Sequence, residues 1–245
     1  MFRKIVQPFY TTYVVITFVL SFLFIFPLIL LYSWGKNIAA RKKIINITRV
    51  WFRLWLWTIG MPLQIIGKKQ SGTYTFIANH TSYIDNVLIV PAIQVHFRPL
   101  GKTGMTKIPL FGYFYKQLVI LVDRNSDKSR ATSMRQMLQH LQKEGSILIF
   151  PEGTFNETEK PLKEFYDGAF RLAIIAQISI LPMIFPDAAD RWSPSAWWKF
   201  WPGRNRAVCL DPVPVGGLTI EDVPMLKQQV YTLMENALIK YSAVK

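Results

Sequence analysis

Gly72-Thr73-Tyr74-Thr75-Phe76-Ile77-Ala78-Asn79-His80-Thr81-Ser82-Tyr83-Ile84-Asp85 decides how this chain is to be read. Residues 73–78 are rich in β-branched and aromatic side chains and read as a strand, and residues 84–92 read as a helix. A histidine at a strand end presents its imidazole at the edge of the sheet, where α/β folds bind substrates. Asp85 would lie about one turn into the helix, close enough to curl back and hydrogen-bond one ring nitrogen. Such a carboxylate sets the tautomer and stabilises the imidazolium, leaving the other nitrogen to take a proton from a hydroxyl. The spacing alone carries little, because His-x4-Asp arises by chance in roughly one such chain in seven.

The strand–helix alternation continues downstream. Residues 95–101 are extended, 110–117 helical and 118–123 an apolar strand. Residues 128–143 form the clearest helix: Met134, Met137, Leu138 and Leu141 recur on one face, Ser126 or Asp127 can cap it, and Gly145 stops it. A buried strand over 146–150 runs into Pro151-Glu152-Gly153-Thr154. A helix over 168–177 and a strand over 178–185 follow. Next come a strand pair, 192–201 with 205–210, about the Pro202-Gly203 turn, and a closing helix over 221–240. This pattern predicts an α/β domain, a central mixed sheet flanked by helices. With no internal repeat, the plausible boundary lies at residues 67–72. It separates a membrane-anchoring segment, 1–66, from the α/β domain, 67–245.

The chain of 245 residues is half apolar and carries a net charge of +14. The charge calls for an anionic partner: nucleic acid, lipid headgroups or a phosphorylated substrate. A single cysteine, Cys209, excludes an internal disulfide framework and a cysteine-rich zinc site, and reads as a packed strand thiol. No ligand set for a metal is evident, and no cofactor is expected. Between Lys4 and Lys36 there is no charged residue, and residues 13–31 are an almost continuous apolar run. About 20 such residues span a bilayer core. A signal peptide would be shorter and end at small residues, whereas Tyr32-Ser33-Trp34-Gly35 and a basic segment follow here. Pro27 leaves three forms open: a crossing helix, a bent one, or a re-entrant hairpin in one leaflet. Lys36, Arg41, Lys42, Lys43 and Arg49 outnumber Arg3 and Lys4, which places the domain on the cytoplasmic face of the inner (plasma) membrane. Residues 44–59, with Trp51, Phe52, Trp55 and Trp57 among Arg49 and Arg53, suit an interfacial helix; packing on the domain is the alternative. No nucleic-acid recognition motif accompanies the charge, so membrane lipids are the expected partner and nucleic acid is not.

Phe150-Pro151-Glu152-Gly153-Thr154 adds the second element. A specified pentapeptide occurs by chance in only ~1 in 10,000 chains of this size. Together these residues resemble the 1-acylglycerol-3-phosphate acyltransferase family, within the glycerolipid acyltransferases. Its four motif blocks occur in order. Asn79 to Asp85 match Asn-His-x4-Asp. Lys102, Lys107, Pro109, Gly112 and Arg124 match a basic Pro-x-x-Gly block ending in arginine. Phe150 to Thr154 match Phe-Pro-Glu-Gly-Thr, and Ile180-Leu181-Pro182-Met183-Ile184 match an apolar strand around a proline. The likeness is strong over residues 74–184. It implies acyl transfer from acyl-CoA or acyl carrier protein to the sn-2 hydroxyl of a lysophospholipid acceptor, giving phosphatidic acid. His80 is then the general base and Asp85 its orienting group. Arg124, Lys102, Lys107, Glu152, Gly153 and Thr154 line the acceptor site, with Lys163 and Arg171 as second choices for a phosphate contact.

One position departs from the family pattern. Phe155 stands where the third block usually closes with an arginine that meets the substrate phosphate. This keeps a second acceptor class open, a lyso-amino-acid lipid or lysophosphatidylethanolamine. A non-enzymatic alternative is a basic membrane-anchored scaffold. The cluster Trp192, Trp197, Trp198, Phe200 and Trp201 reads equally as a membrane-facing surface or as hairpin alternation. His96 and His140 lack partner signatures and read as structural or solvated.

Overall fold

The computed structural model describes residues 2–35, 37–123, 125–193, 196 and 198–243; Lys36, Arg124 and Trp197 thus lie outside the described residues. Two long helices open the chain, α1 (Phe2–Ser33) and α2 (Ile38–Thr58). Then follow β1 (Leu63–Ile66), β2 (Thr75–Ala78), α3 (Asp85–Ala92), β3 (Phe97–Lys102), α4 (Phe111–Leu118) and β4 (Ile120–Val122). The remainder comprises α5 (Asp127–Lys143), β5 (Ser146–Ile149), α6 (Gly168–Ala176), β6 (Ile180–Ile184), α7 (Ala188–Arg191), β7 (Asn205–Cys209) and α8 (Val223–Ser242).

One seven-stranded sheet runs β1-β7-β6-β2-β5-β3-β4. All neighbours are parallel except β6 and β7, so the sheet is mixed, as the alternation predicts. Strands β2, β5, β6 and β7 are buried on both faces, and the period of two sorts their side chains. Phe76, Ala78 and Leu148 face a core shared with α1 to α4. Ile77, Ile147 and Ile149 face a second core closed by α5, α6 and α8. Ser126 caps α5 by accepting the Ser129 N–H at 3.2 Å.

Two features differ from expectation. Among their described residues, 192–201 do not form a strand paired with β7. Both edges of β7 are taken, by β1 through Leu63↔Asn205 to Ile66↔Val208 and by β6 through Ile184↔Val208. An isolated antiparallel bridge joins Trp192 to Phe200. The sheet also begins ahead of the glycine-bounded 67–72 stretch, since β1 is one of its strands.

The helix α1 is long and apolar enough to cross a membrane by length and composition, yet it is laced to protein throughout. Running antiparallel to α2, it accepts indole N–H bonds from Trp55 at Thr17 (3.2 Å) and from Trp51 at Ser21 (3.0 Å). Tyr10 and Tyr13 donate to the carbonyls of Ile59 and Thr58, and Gln7 to Phe200. At the other end Ser33 pairs with Tyr113 of α4 at 2.6 Å. The opposite flank exposes Phe9, Ile16, Leu20, Phe24 and Leu31, beside Val50, Leu54 and Trp57 of α2. Between α1 and the rest of the protein, α2 buries Ile44, Trp51, Phe52, Trp55 and Leu56. Arg49 is not directed to headgroups: it bonds the Ile93 and Val95 carbonyls and so ties α2 to the segment before β3.

Candidate active site

The central strand β2 delivers the site to the carboxyl edge of the sheet. Asn79, fully buried, locks that end: its Oδ1 accepts the Phe185 N–H at 2.8 Å, just past β6. His80 comes next. Its Nδ1 lies 3.1 Å from Asp85 Oδ2, the same oxygen that accepts the Thr81 and Ser82 amides, each at 2.8 Å. A carboxylate facing Nδ1 makes this the protonated nitrogen and leaves the Nε2 lone pair free to accept. The His80 side chain is 14 % exposed and that of Asp85 is 0 %, so the imidazole reaches solvent and the carboxylate does not. Asp85 Oδ1 is buried with no hydrogen-bond partner among the described residues. Such a group costs about 1–3 kcal/mol.

Glu152 has a role that the sequence did not disclose. It is fully buried, with Oε1 accepting the His80 N–H at 2.7 Å and Oε2 the Lys163 N–H at 2.9 Å. Burial pushes its carboxyl up to about 7, against the pull of the N–H bonds from Lys163 and His80. So engaged, the carboxylate braces two backbone segments and presents no free oxygen to a ligand. Gly153 adopts φ +74°, which only glycine takes without strain, and its N–H bonds the Phe150 carbonyl at 3.1 Å. That amide is therefore already used. Thr154 is exposed, and its hydroxyl accepts from Lys163 Nζ at 2.9 Å. The Asn156 N–H closes the loop onto the His80 carbonyl at 2.7 Å.

Aromatic rings wall the imidazole. Phe150 stacks on His80 with centroids 4.1 Å apart and planes 16° apart, and Phe155 lies at 4.3 Å. Tyr83 touches both Phe155 (4.6 Å) and Trp192 (5.0 Å), and Trp192 stacks on buried Phe200. Beside Phe155 opens a cavity of about 290 Å³ lined by Thr154, Phe155, Glu157, Thr158 and Lys163. Of the tryptophan cluster, Trp198 is half-exposed and Trp201 lies under the Arg3 guanidinium at 4.7 Å.

The expected cations are spread along this edge. Lys102 ends β3, two strands from β2, so about 10 Å away by strand spacing. Lys107 closes the 3-10 turn Thr103–Lys107, which packs on α4. A Cβ on Gly112 would come 2.2 Å from the Thr106 carbonyl oxygen, so that position requires glycine. Both lysines are exposed. Arg171 faces Asp167 at 3.9 Å. Three members of this site escaped the sequence reading: the Glu152 clamp, the Phe150 stack, and Trp192 as a wall. Phe150 and Glu152 had a signal, their place in the pentapeptide, but not the contacts they make.

Half-buried His96 and buried His140 lie with ring centroids 5.5 Å apart, and their ring nitrogens are buried and make no hydrogen bond among the described residues. Burial lowers both to about 4. Cys209 is a packed strand thiol, raised by burial and meeting the Gln70 amide at 3.2 Å.

Comparison with known proteins agrees with this geometry. The family model described as Acyltransferase matches residues 65–186. A 1-acyl-sn-glycerol-3-phosphate acyltransferase of Haemophilus influenzae is 30 % identical over 172 residues, 69 % of each chain. An uncharacterized acyltransferase of Schizosaccharomyces pombe is 30 % identical over 188 residues, 74 % of this chain and 66 % of that one. The chain thus spans about two thirds of the length of these relatives. The crystal structure of the 1-acyl-sn-glycerophosphate acyltransferase from Thermotoga maritima superposes with a TM-score of 0.80 at 20 % identity, covering 99 % of both chains; at that identity the likeness is one of fold.

Proposed function

This chain belongs to the acyltransferase family that includes the 1-acyl-sn-glycerol-3-phosphate acyltransferases, and from that premise we propose that it acylates the sn-2 hydroxyl of 1-acylglycerol 3-phosphate, giving phosphatidic acid. The observation that carries the reading is His80 held by buried Asp85, with Nε2 free at the open edge of the sheet. His80 Nε2 takes the acceptor hydroxyl proton as the oxygen attacks the thioester carbonyl of acyl-CoA or acyl carrier protein. The tetrahedral intermediate collapses with loss of the thiolate, which takes the proton back from the imidazolium. Asp85 holds the tautomer and stabilises the charged ring. No acyl-enzyme is required, consistent with Cys209 being buried and packed in β7. Lys102, Lys107 and Arg124 are proposed to draw the acceptor's phosphate to the edge, Thr154 to line its path, and Glu152 and Gly153 to shape the loop.

The exposed apolar flank of the α1–α2 pair is proposed to seat the protein in the membrane from the cytoplasmic face. Tethers at both ends of α1 favour a helix lying beside the domain over one leaving it to cross. The anchoring segment, 1–66, whose last residues lend β1 to the sheet, and the acyltransferase domain, 67–245, then act as one unit at the lipid surface.

Full-length protein in mixed micelles, supplied with acyl-CoA or acyl-ACP, tests the assignment. The expected result is preferred turnover of lysophosphatidic acid over lysophosphatidylethanolamine and lyso-amino-acid lipids. Equal or better turnover of the latter overturns the acceptor assignment. Phe155 makes this comparison the sharpest one, because the wall beside His80 carries a ring where a guanidinium would favour phosphate.

A further inference from the structure

Building on that functional reading, we infer that Lys163 is the cation that receives the acceptor's phosphate. The cavity is separated from His80 by Phe155, whose ring lines it, contacts the imidazole at 4.3 Å and brings no charge. A phosphate entering it must be met by another group. Among the described residues that line it, Lys163 is the only cation; Thr154 and Thr158 add hydroxyls and Glu157 a carboxylate.

The position of Lys163 relative to the base is set by the backbone. One buried carboxylate, Glu152, accepts the His80 N–H through one oxygen and the Lys163 N–H through the other. Two peptide units bonded to the same carboxylate cannot drift apart, so the clamp fixes the distance between the base and the start of the lysine side chain. The ammonium is then directed along the loop by its bond to Thr154 at 2.9 Å. A hydroxyl is a neutral partner, so the charge of Lys163 is not cancelled there. Arg171 and Lys227, which lie nearby in sequence or fold, both face Asp167 instead. A phosphate held by Lys163 and Thr154 leaves the glycerol hydroxyl to extend past Phe155 toward His80 Nε2.

The test is a set of substitutions at Lys163 in the full-length protein. Lys163→Ala keeps the main-chain N–H and hence the Glu152 clamp, so folding is preserved. Its KM for lysophosphatidic acid rises about tenfold or more, with kcat changed less than about threefold, the loss expected for a charge-assisted contact. Lys163→Arg restores most of the loss. Monoacylglycerol, which lacks the phosphate, is handled equally by wild type and Lys163→Ala. Equilibrium binding of lysophosphatidic acid in micelles, measured without any donor, weakens by the same factor. Equal binding by wild type and Lys163→Ala overturns the assignment, as does an equal loss with monoacylglycerol. Lysine-dependent binding without acyl transfer in the wild type instead supports the Lys163 contact and overturns the functional reading.

Discussion

The two histidine sites are built from the same parts and arrive at opposite chemistry. His80 and His140 each lie about 3 Å from a carboxylate, Asp85 at 3.1 Å and Glu144 at 3.3 Å. At His80 the contact is a hydrogen bond to a carboxylate oxygen also bound by two amides, and the ring reaches the open edge of the sheet. At His140 the 3.3 Å approach to Glu144 makes no well-aligned hydrogen bond among the described residues, the ring is buried against His96, and Arg41 and Arg98 crowd the same carboxylate. Glu144 is satisfied by Arg41 at 3.0 Å and so does not orient the imidazole. A nearby carboxylate is therefore not enough to make a base. It must be geometrically committed to the ring, and the far nitrogen must face a place where a substrate can sit.

The contrast is broken most directly by removing each ring. His80→Ala is expected to lower kcat about a thousandfold, with a melting temperature close to wild type. His140→Phe is expected to leave kcat within about twofold, since nothing at the site depends on it. Steady-state assays and thermal melts on both variants check the pair. A comparable activity loss at His140 would mean that the two sites are coupled. Asp85→Asn comes next, with kcat down about a hundredfold because the amide no longer enforces the Nδ1–H tautomer. A pH–rate profile that keeps its shape at reduced height would fit that role.

Smaller effects come from pH. His96 and His140 are lowered from 6.5 to about 4 in the folded protein. Their stabilisation is fully present above about pH 6.5 and is lost as pH falls through about 4, at most about 3 kcal/mol each. Melting temperature should fall over that window, and His140→Phe should flatten the fall. Glu152 has the opposite sign. Its carboxyl is raised from 4.5 to about 7; its contribution is present below about 4.5 and lost as pH rises through about 7, again at most about 3 kcal/mol. Glu152→Gln should remove that upper slope while giving up one of two clamp hydrogen bonds, about 1 kcal/mol. Melts at pH 5 and pH 8 read this directly; an unchanged difference between the two in Glu152→Gln would assign the slope to another group.

Much of this was legible in the sequence, for reasons that are local. The His80–Asp85 pair closes over five residues, so strand end and helix start bring it together without help from the rest of the chain. Ser126 caps α5 by the same kind of short reach. The Glu152 clamp was not legible, because one of its two amides lies 72 residues away. Nor was the fate of residues 192–201: their alternation resembles a strand, but β1 and β6 already occupy both edges of β7.

From the sequence by itself came the alternating elements, the apolar N-terminal helix, the pairing of His80 with Asp85, and the motif order that marks the family. These rest on period, capping and short-range spacing, which the chain carries wherever it folds. The tertiary structure alone decided which strands flank β7 and that α1 is bound along α2 rather than standing free. It also decided which lysine shares a carboxylate with the His80 loop, because each of these depends on hydrogen-bonding groups far apart in sequence that only the closed sheet brings within reach of one another.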